Sequence, residues 1–97
     1  MMSNTNNMTN PVTILFTEEL SPGIFLIGFK RTFDFVAGQV IGIAIKENDA
    51  RRLYSICSGE KEDEVWILYK RVEEGYLTPQ LSDLEAGDRI SQSTIFR

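Results

Sequence analysis

The chain has 97 residues, 42% hydrophobic and 25% charged, with ten Lys+Arg against fourteen Asp+Glu and a net charge of −4. That balance describes one ordinary soluble globular domain with a modest core, and the length excludes a complete two-domain enzyme. There is no histidine and one cysteine, Cys57, which excludes a Cys/His zinc site, a histidine general base and an internal disulfide. The acidic excess argues against a general nucleic-acid binder. The longest apolar stretch, Ile24 to Phe29, is far too short to span a bilayer.

Met1 to Pro11 is polar and Asn/Thr-rich, and reads as a mobile tail. It has neither the basic start nor the apolar centre of a secretory signal, so an intracellular, cytoplasmic protein is expected. The domain proper is predicted over 12–97. Val12, Ile14 and Phe16 alternate with Thr13 and Thr17, the pattern of a half-buried strand. Ser21-Pro22-Gly23 is a turn. Gly23 to Arg31 is a second strand, rich in aromatic and β-branched residues. Gln39 to Ile45, entered by Ala37-Gly38, is a third, and its inner Gly42 predicts a bulge or a close backbone approach. Lys46 to Arg51 is a charged connection, and Arg52 to Ser58 a fourth strand. Gly59 to Asp63 is a charged turn before a fifth strand, Glu64 to Val72. Thr78 to Leu84 then reads as a short helix, with Thr78 as N-cap and Pro79 in the first turn. Leu81 and Leu84 share one of its faces. Gly87-Asp88 turns the chain into a last strand, Arg89 to Phe96. Six strands, one late helix and short turns predict an antiparallel barrel or sandwich, and closure into a barrel removes exposed edges.

Three groups of residues suit chemistry. Arg52 and Tyr54 fall on one face of a strand. A guanidinium beside a flat ring suits a phosphate near an aromatic system; a surface arginine covering a half-buried tyrosine is the plainer alternative. Gly75-Tyr76-Leu77-Thr78 opens a helix, where backbone N–H groups favour a phosphate, unless Thr78 simply caps its helix. Phe33-x-Phe35-x-x-Gly38-Gln39 places a glycine before a strand, either for a close approach or as an ordinary loop. Cys57 and Trp66 read as core residues, Trp66 alternatively as a barrel anchor. Glu60 to Glu64 and Glu73-Glu74 read as solvated turns.

Taken in order, Phe35-x-x-Gly38-Gln39, Arg52-x-Tyr54-Ser55, Gly75-x-Leu77-Thr78 and Leu84-x-x-Gly87-Asp88 resemble the FAD-binding domain of the ferredoxin–NADP reductase family, its bacterial-type branch most of all. The resemblance implies a six-stranded antiparallel Greek-key barrel with one short helix and FAD on its outside. It implies that Arg52 pairs with the pyrophosphate and that Tyr54 lies against the flavin ring. Ser55 would sit near the flavin N5, which makes Tyr54 and Ser55 the catalytic candidates. Backbone around Tyr69, Lys70 and Arg71 would border the cofactor, and Gly75, Tyr76, Leu77 and Thr78 would hold its phosphates. One tension is internal: strict alternation puts Ser55 on the face opposite Tyr54. The implied reaction takes a hydride from NAD(P)H to the flavin and passes electrons to a ferredoxin- or flavodoxin-type acceptor. The family's nicotinamide-binding α/β domain has no counterpart here. After the last barrel strand the chain reads Ser93-Thr94-Ile95-Phe96 in place of a Gly-x-Phe-type element. An excised domain or a truncated product, which binds FAD and lacks the NAD(P)H site, is therefore expected. A non-catalytic barrel that docks another protein is the competing reading, and it has no need of Arg52 and Tyr54. An oligonucleotide-binding barrel is disfavoured by the acidic charge and by the lack of a basic–aromatic stripe.

Overall fold

A computed structural model describes residues 10–36, 38–46, 51–59 and 61–96. Residues 1–9, Ala37, most of the charged connection (47–50), Glu60 and Arg97 lie outside the described residues. Six strands and one helix follow in chain order: β1 (Asn10–Ser21), β2 (Ile24–Lys30), β3 (Val40–Ala44), β4 (Arg52–Ser55), β5 (Glu64–Lys70), α1 (Leu77–Ser82) and β6 (Arg89–Phe96). The expected tail is shorter than its sequence suggests. Asn10 and Pro11 already belong to β1 and pair with Gln92 and Ser91 of β6.

All pairings are antiparallel, and the strand order is β4-β3-β6-β1-β2-β5. Six antiparallel strands and one short helix are as expected, but the sheet is not closed by a full ladder: β4 and β5 are its two edges. The β1–β2 turn is tight because Gly23 takes φ 80°, a region disfavoured for residues with a Cβ. The irregularity expected at Gly42 is present. Ile41 pairs with Ile95 and Ile43 with Gln92, so β6 carries one extra residue opposite Gly42.

The inner face is apolar. Val12, Ile14, Ile27, Phe29, Ile41, Ile43, Val65, Ile67 and Ile90 form the core, with Leu81 of α1 sealing one end. The alternation read for β1 fails at Leu15. Ile14 pairs with Phe29 but Phe16 with Gly28, so Leu15 is bulged and Phe16 turns outward. The missing side chain of Gly28 makes this possible. A Cβ there would lie 2.3 Å from Cε1 of Phe16, so the ring lies directly across the glycine. Phe16 meets Trp66 edge to face at 5.7 Å. Trp66 is thus an outer-face residue, 37% exposed, rather than a core one. The inner residues of β5 are Val65, Ile67 and Tyr69.

Candidate functional site

The edge strands β4 and β5 approach each other along a seam that is tied at one end only. There Ile56 bridges Ile67, and the Cys57 N–H donates to the Trp66 carbonyl at 2.8 Å. The buried Ser58 hydroxyl donates to the Glu64 carbonyl at 3.0 Å and accepts the Trp66 N–H at 3.1 Å. The Phe33–Gln39 loop backs this end: the Gly38 N–H donates to the Ile56 carbonyl and the Ile56 N–H to the Gln39 carbonyl. Gly38, at φ 85°, therefore serves the seam rather than a ligand.

Antiparallel alternation then fixes where the remaining backbone points. Since Ile56 bonds back toward β3, Tyr54 and Arg52 do too, while Leu53 and Ser55 face β5. The Arg71 N–H donates to Gly23, so Tyr69 and Ile67 face β2 while Leu68 and Lys70 face β4. Beyond the Ile56–Ile67 bridge no strand pairing joins β4 to β5 among the described residues. Two strand edges thus face each other across a gap.

In that gap lies a cleft of about 260 Å³, lined by Arg52, Tyr54, Lys70, Val72, Gly75, Leu77 and Thr78. Arg52 is exposed. Tyr54 is half-buried, and its ring meets that of Tyr69 edge-on at 6.3 Å. Burial raises the Tyr54 phenol above its ordinary pKa, and the nearby Arg52 guanidinium opposes that rise. Gly75 shapes the floor. Its N–H donates to the Val72 carbonyl at 2.8 Å. A Cβ at this position would lie 3.1 Å from that oxygen and 3.3 Å from the Val72 Cβ.

Six of the sequence-predicted residues meet here: Arg52, Tyr54, Lys70, Gly75, Leu77 and Thr78. Thr78 does so differently from expectation. It is inside the helix rather than capping it, since Tyr76 holds the N-cap position without a side-chain bond. Its hydroxyl accepts the Val72 N–H at 2.7 Å and donates to the Val72 carbonyl at 3.4 Å. That hydroxyl ties the loop to the helix instead of reaching into the cleft.

The other four do not line the cleft. Ser55 is exposed, on the face opposite Tyr54 as alternation requires, and only its backbone faces the seam. Tyr69 is buried, stacked on Phe25 at 5.7 Å, and its hydroxyl shares a 3.2 Å hydrogen bond with Ser82. Arg71 pairs with Glu73 at 3.3 Å. Tyr76 is exposed, and its carbonyl accepts from Gln80 Nε2 at 2.8 Å. Val72 is the wall residue that sequence reasoning passed over. Its spacing of two from Lys70, just past the end of β5, is the signal that could have found it.

Cys57 is exposed rather than core. It lines a second cleft of about 290 Å³ with Ser58, Gly59, Glu62, Glu64 and Trp66, at the tied end of the seam. Burial raises its thiol pKa, and its own and the Leu68 backbone groups oppose that. Among the described residues no group of three or more His, Cys, Asp or Glu could hold a metal ion. No described helix is long and apolar enough to cross a membrane.

No family model matches the sequence, and no curated protein does either. Solved structures do match. The chain superposes on a ferredoxin NADP+ reductase from Neisseria gonorrhoeae with bound FAD and NADP, with a TM-score of 0.82 and 20% identity. The match covers 95% of this chain and 39% of that one. A ferredoxin-NADP+ reductase from Plasmodium falciparum with 2'P-AMP matches at TM-score 0.77 and 21% identity, over 90% of this chain and 38% of that one. A flavohemoglobin from Malassezia yamatoensis with bound FAD and heme matches at TM-score 0.77 and 15% identity, over 95% and 26%. The likeness is one of fold: the chain has the barrel found in these reductases. It spans well under half the length of each.

Proposed function

We propose that this chain is the FAD-binding part of a flavin-dependent oxidoreductase that moves electrons between NAD(P)H and a ferredoxin- or flavodoxin-type acceptor. One observation carries the reading: Arg52 and Tyr54 share a single cleft with the Gly75 turn, at the open seam of a barrel common to such reductases. The lining fits the group. A guanidinium suits a phosphate, and a half-buried ring suits a flat heterocycle. A dinucleotide exceeds 260 Å³ and would extend along the seam.

FAD would supply the redox centre that accepts a hydride and passes electrons on, chemistry this chain's side chains do not provide. The chain's own part is to bind and orient. Arg52 neutralises phosphate charge, Tyr54 offers its ring, and Ser55 offers its backbone edge. Tyr69 backs the Tyr54 ring, Gly75, Leu77 and Thr78 form the floor, and Arg71 and Tyr76 stand outside the cleft. The NAD(P)H site belongs to a further domain. A cytoplasmic setting suits such a protein, with neither nucleic acid nor membrane as partner.

Flavin fluorescence tests this. FAD titrated into the folded chain is expected to be quenched, and Arg52→Ala to weaken binding by about 1–3 kcal/mol, as loss of a charge-assisted contact does. Because Arg52 is exposed, the unfolding midpoint should stay in place. A folded chain that leaves micromolar FAD unquenched would argue against a flavin site in this domain.

A further inference from the structure

We propose that the outer face of β5 is a self-association surface, on which two copies of this chain pack face to face with their β5 strands antiparallel. This surface shares only Lys70 with the Arg52–Tyr54 cleft and holds whatever that cleft binds.

Alternation along β5 sorts its side chains. Val65, Ile67 and Tyr69 are buried inside, and Glu64, Trp66, Leu68 and Lys70 stand on the outer face. Trp66 is 37% exposed and Leu68 51%. Strand pairing extends this apolar centre sideways. Leu68 lies opposite Leu26 of β2, and Trp66 opposite Gly28, across which the Phe16 ring lies. Phe16 and Leu26 are both partly exposed. Phe16, Leu26, Trp66 and Leu68 therefore share one open patch. Such a patch marks an interaction site when polar groups bound it.

The charges at its two ends choose the occupant. Glu64 closes one end of the β5 row and Lys70 the other. The Glu64 carboxylate is anchored at its end, since Oε1 accepts the Trp66 Nε1–H at 2.7 Å. The order along the face is acid, ring, aliphatic chain, base, and the reversed order is its complement. A two-fold axis crossing β5 at Ile67 sets Glu64 against Lys70 of the second copy, and Trp66 against Leu68 of the second copy. The same axis stacks Leu26 on the Phe16 ring laid over Gly28. Each contact then occurs twice, as an isologous interface requires. Stacked sheets stand about 10 Å apart, a gap that a lysine and a glutamate side chain span together. The parallel arrangement sets Glu64 against Glu64 and Lys70 against Lys70, so like-charge repulsion rejects it. The patch is small beside the roughly 800 Å² per partner of a standard interface, which makes the dimer weak and reversible.

Sedimentation velocity from micromolar to millimolar chain tests this. A reductant keeps the exposed Cys57 from linking copies. Flavin is left out, because Lys70 also lines the cleft. The mean mass should rise with concentration toward that of a dimer. Leu68→Asp should hold it at the monomer value. Glu64→Lys and Lys70→Glu should each weaken association about tenfold, since each replaces two opposite-charge contacts by two like-charge ones. The double variant, Glu64→Lys with Lys70→Glu, should restore most of the loss. Circular dichroism checks that each variant is folded, and the charge swaps carry the test alone if Leu68→Asp is not. A chain that stays monomeric at millimolar concentration overturns the proposal. So does a dimer indifferent to Leu68→Asp, or one that the double variant fails to restore.

Discussion

The two ends of the β4–β5 seam are built from the same two strands and behave as opposites. At the tied end the backbone around Ile56 is hydrogen-bonded to Trp66, to Gly38 and to Gln39, and the Ser58 hydroxyl adds bonds to Glu64 and Trp66. Past the Ile56–Ile67 bridge no further strand pairing joins β4 to β5 among the described residues. Both ends carry chemically interesting side chains, Cys57 and Trp66 at one, Arg52 and Tyr54 at the other. Only the open end brings a guanidinium, an ammonium group and an aromatic ring to one cleft. The tied end closes over the core at Ile56 and Ile67, and the open end carries the Arg52–Tyr54 cleft. Stability and binding are therefore expected to separate along one seam.

The sharpest way to break that separation is to attack the tie itself. Ile56 is 2% exposed and sits at the bridge. Ile56→Ala should lower unfolding free energy by about 2–4 kcal/mol, the usual range for emptying such a site. Urea denaturation measures it. Ligand affinity should fall as well, because the cleft's two walls are held in place from this end. A gentler cut is Arg31→Ala. Its Nε donates to the Phe33 carbonyl at 2.8 Å and its Nη1 to the Glu62 carbonyl at 2.9 Å. The guanidinium also lies 4.6 Å from the Phe35 ring centre. It thus clips the loop behind β4 to the turn before β5. The expected loss is about 1–2 kcal/mol, mostly from the two carbonyl bonds, since a pair with exposed Asp34 contributes little. Amide exchange at Ile56 and Cys57 should quicken, while FAD affinity stays within about twofold, on the scale of non-contact changes. Equal losses of stability and affinity would mean that the seam works as one unit.

Much of this was legible in the sequence, and the exceptions share a cause. The strands, the Gly23 and Gly87 turns and the irregularity at Gly42 depend on local patterns, and they fall close to where those patterns put them. The turning of Phe16 could not be read that way. It depends on Gly28, a residue on another strand whose missing side chain leaves room for the ring. Arg52 and Tyr54 were legible as a pair because spacing of two on a strand is itself a statement about direction. Thr78 was misread for the converse reason. The hydroxyl that suits a cap found its partner in Val72, and only the folded loop brings Val72 close. Ser55 falls on the expected strand, with an exposed side chain and a backbone direction that follows from the pairing of β4 with β3.

The smallest expected effect separates the ends by pH. At the open end, burial raises the Tyr54 phenol above 10.0, against the opposing Arg52 charge. Burial raises Tyr69 above 10.0 too, with the Ser82 hydrogen bond opposing. The folded chain therefore holds these protons more tightly than the unfolded chain does. Stability from them is fully present below about pH 10, the unfolded value, and is lost as pH rises through the folded values. At the tied end the Cys57 thiol is raised above 9.0, again by burial, so its contribution begins to decline about one unit earlier. Thermal unfolding between pH 8 and 11 should show a first, shallow decline that Cys57→Ser removes. A steeper decline should follow that Tyr54→Phe reduces. Arg52→Ala should move the Tyr54 titration, followed by tyrosinate absorbance, to still higher pH. It should leave the Cys57 alkylation profile in place, because the arginine acts only on the open end. An Arg52 substitution that moved both titrations would show that the two ends are electrostatically joined.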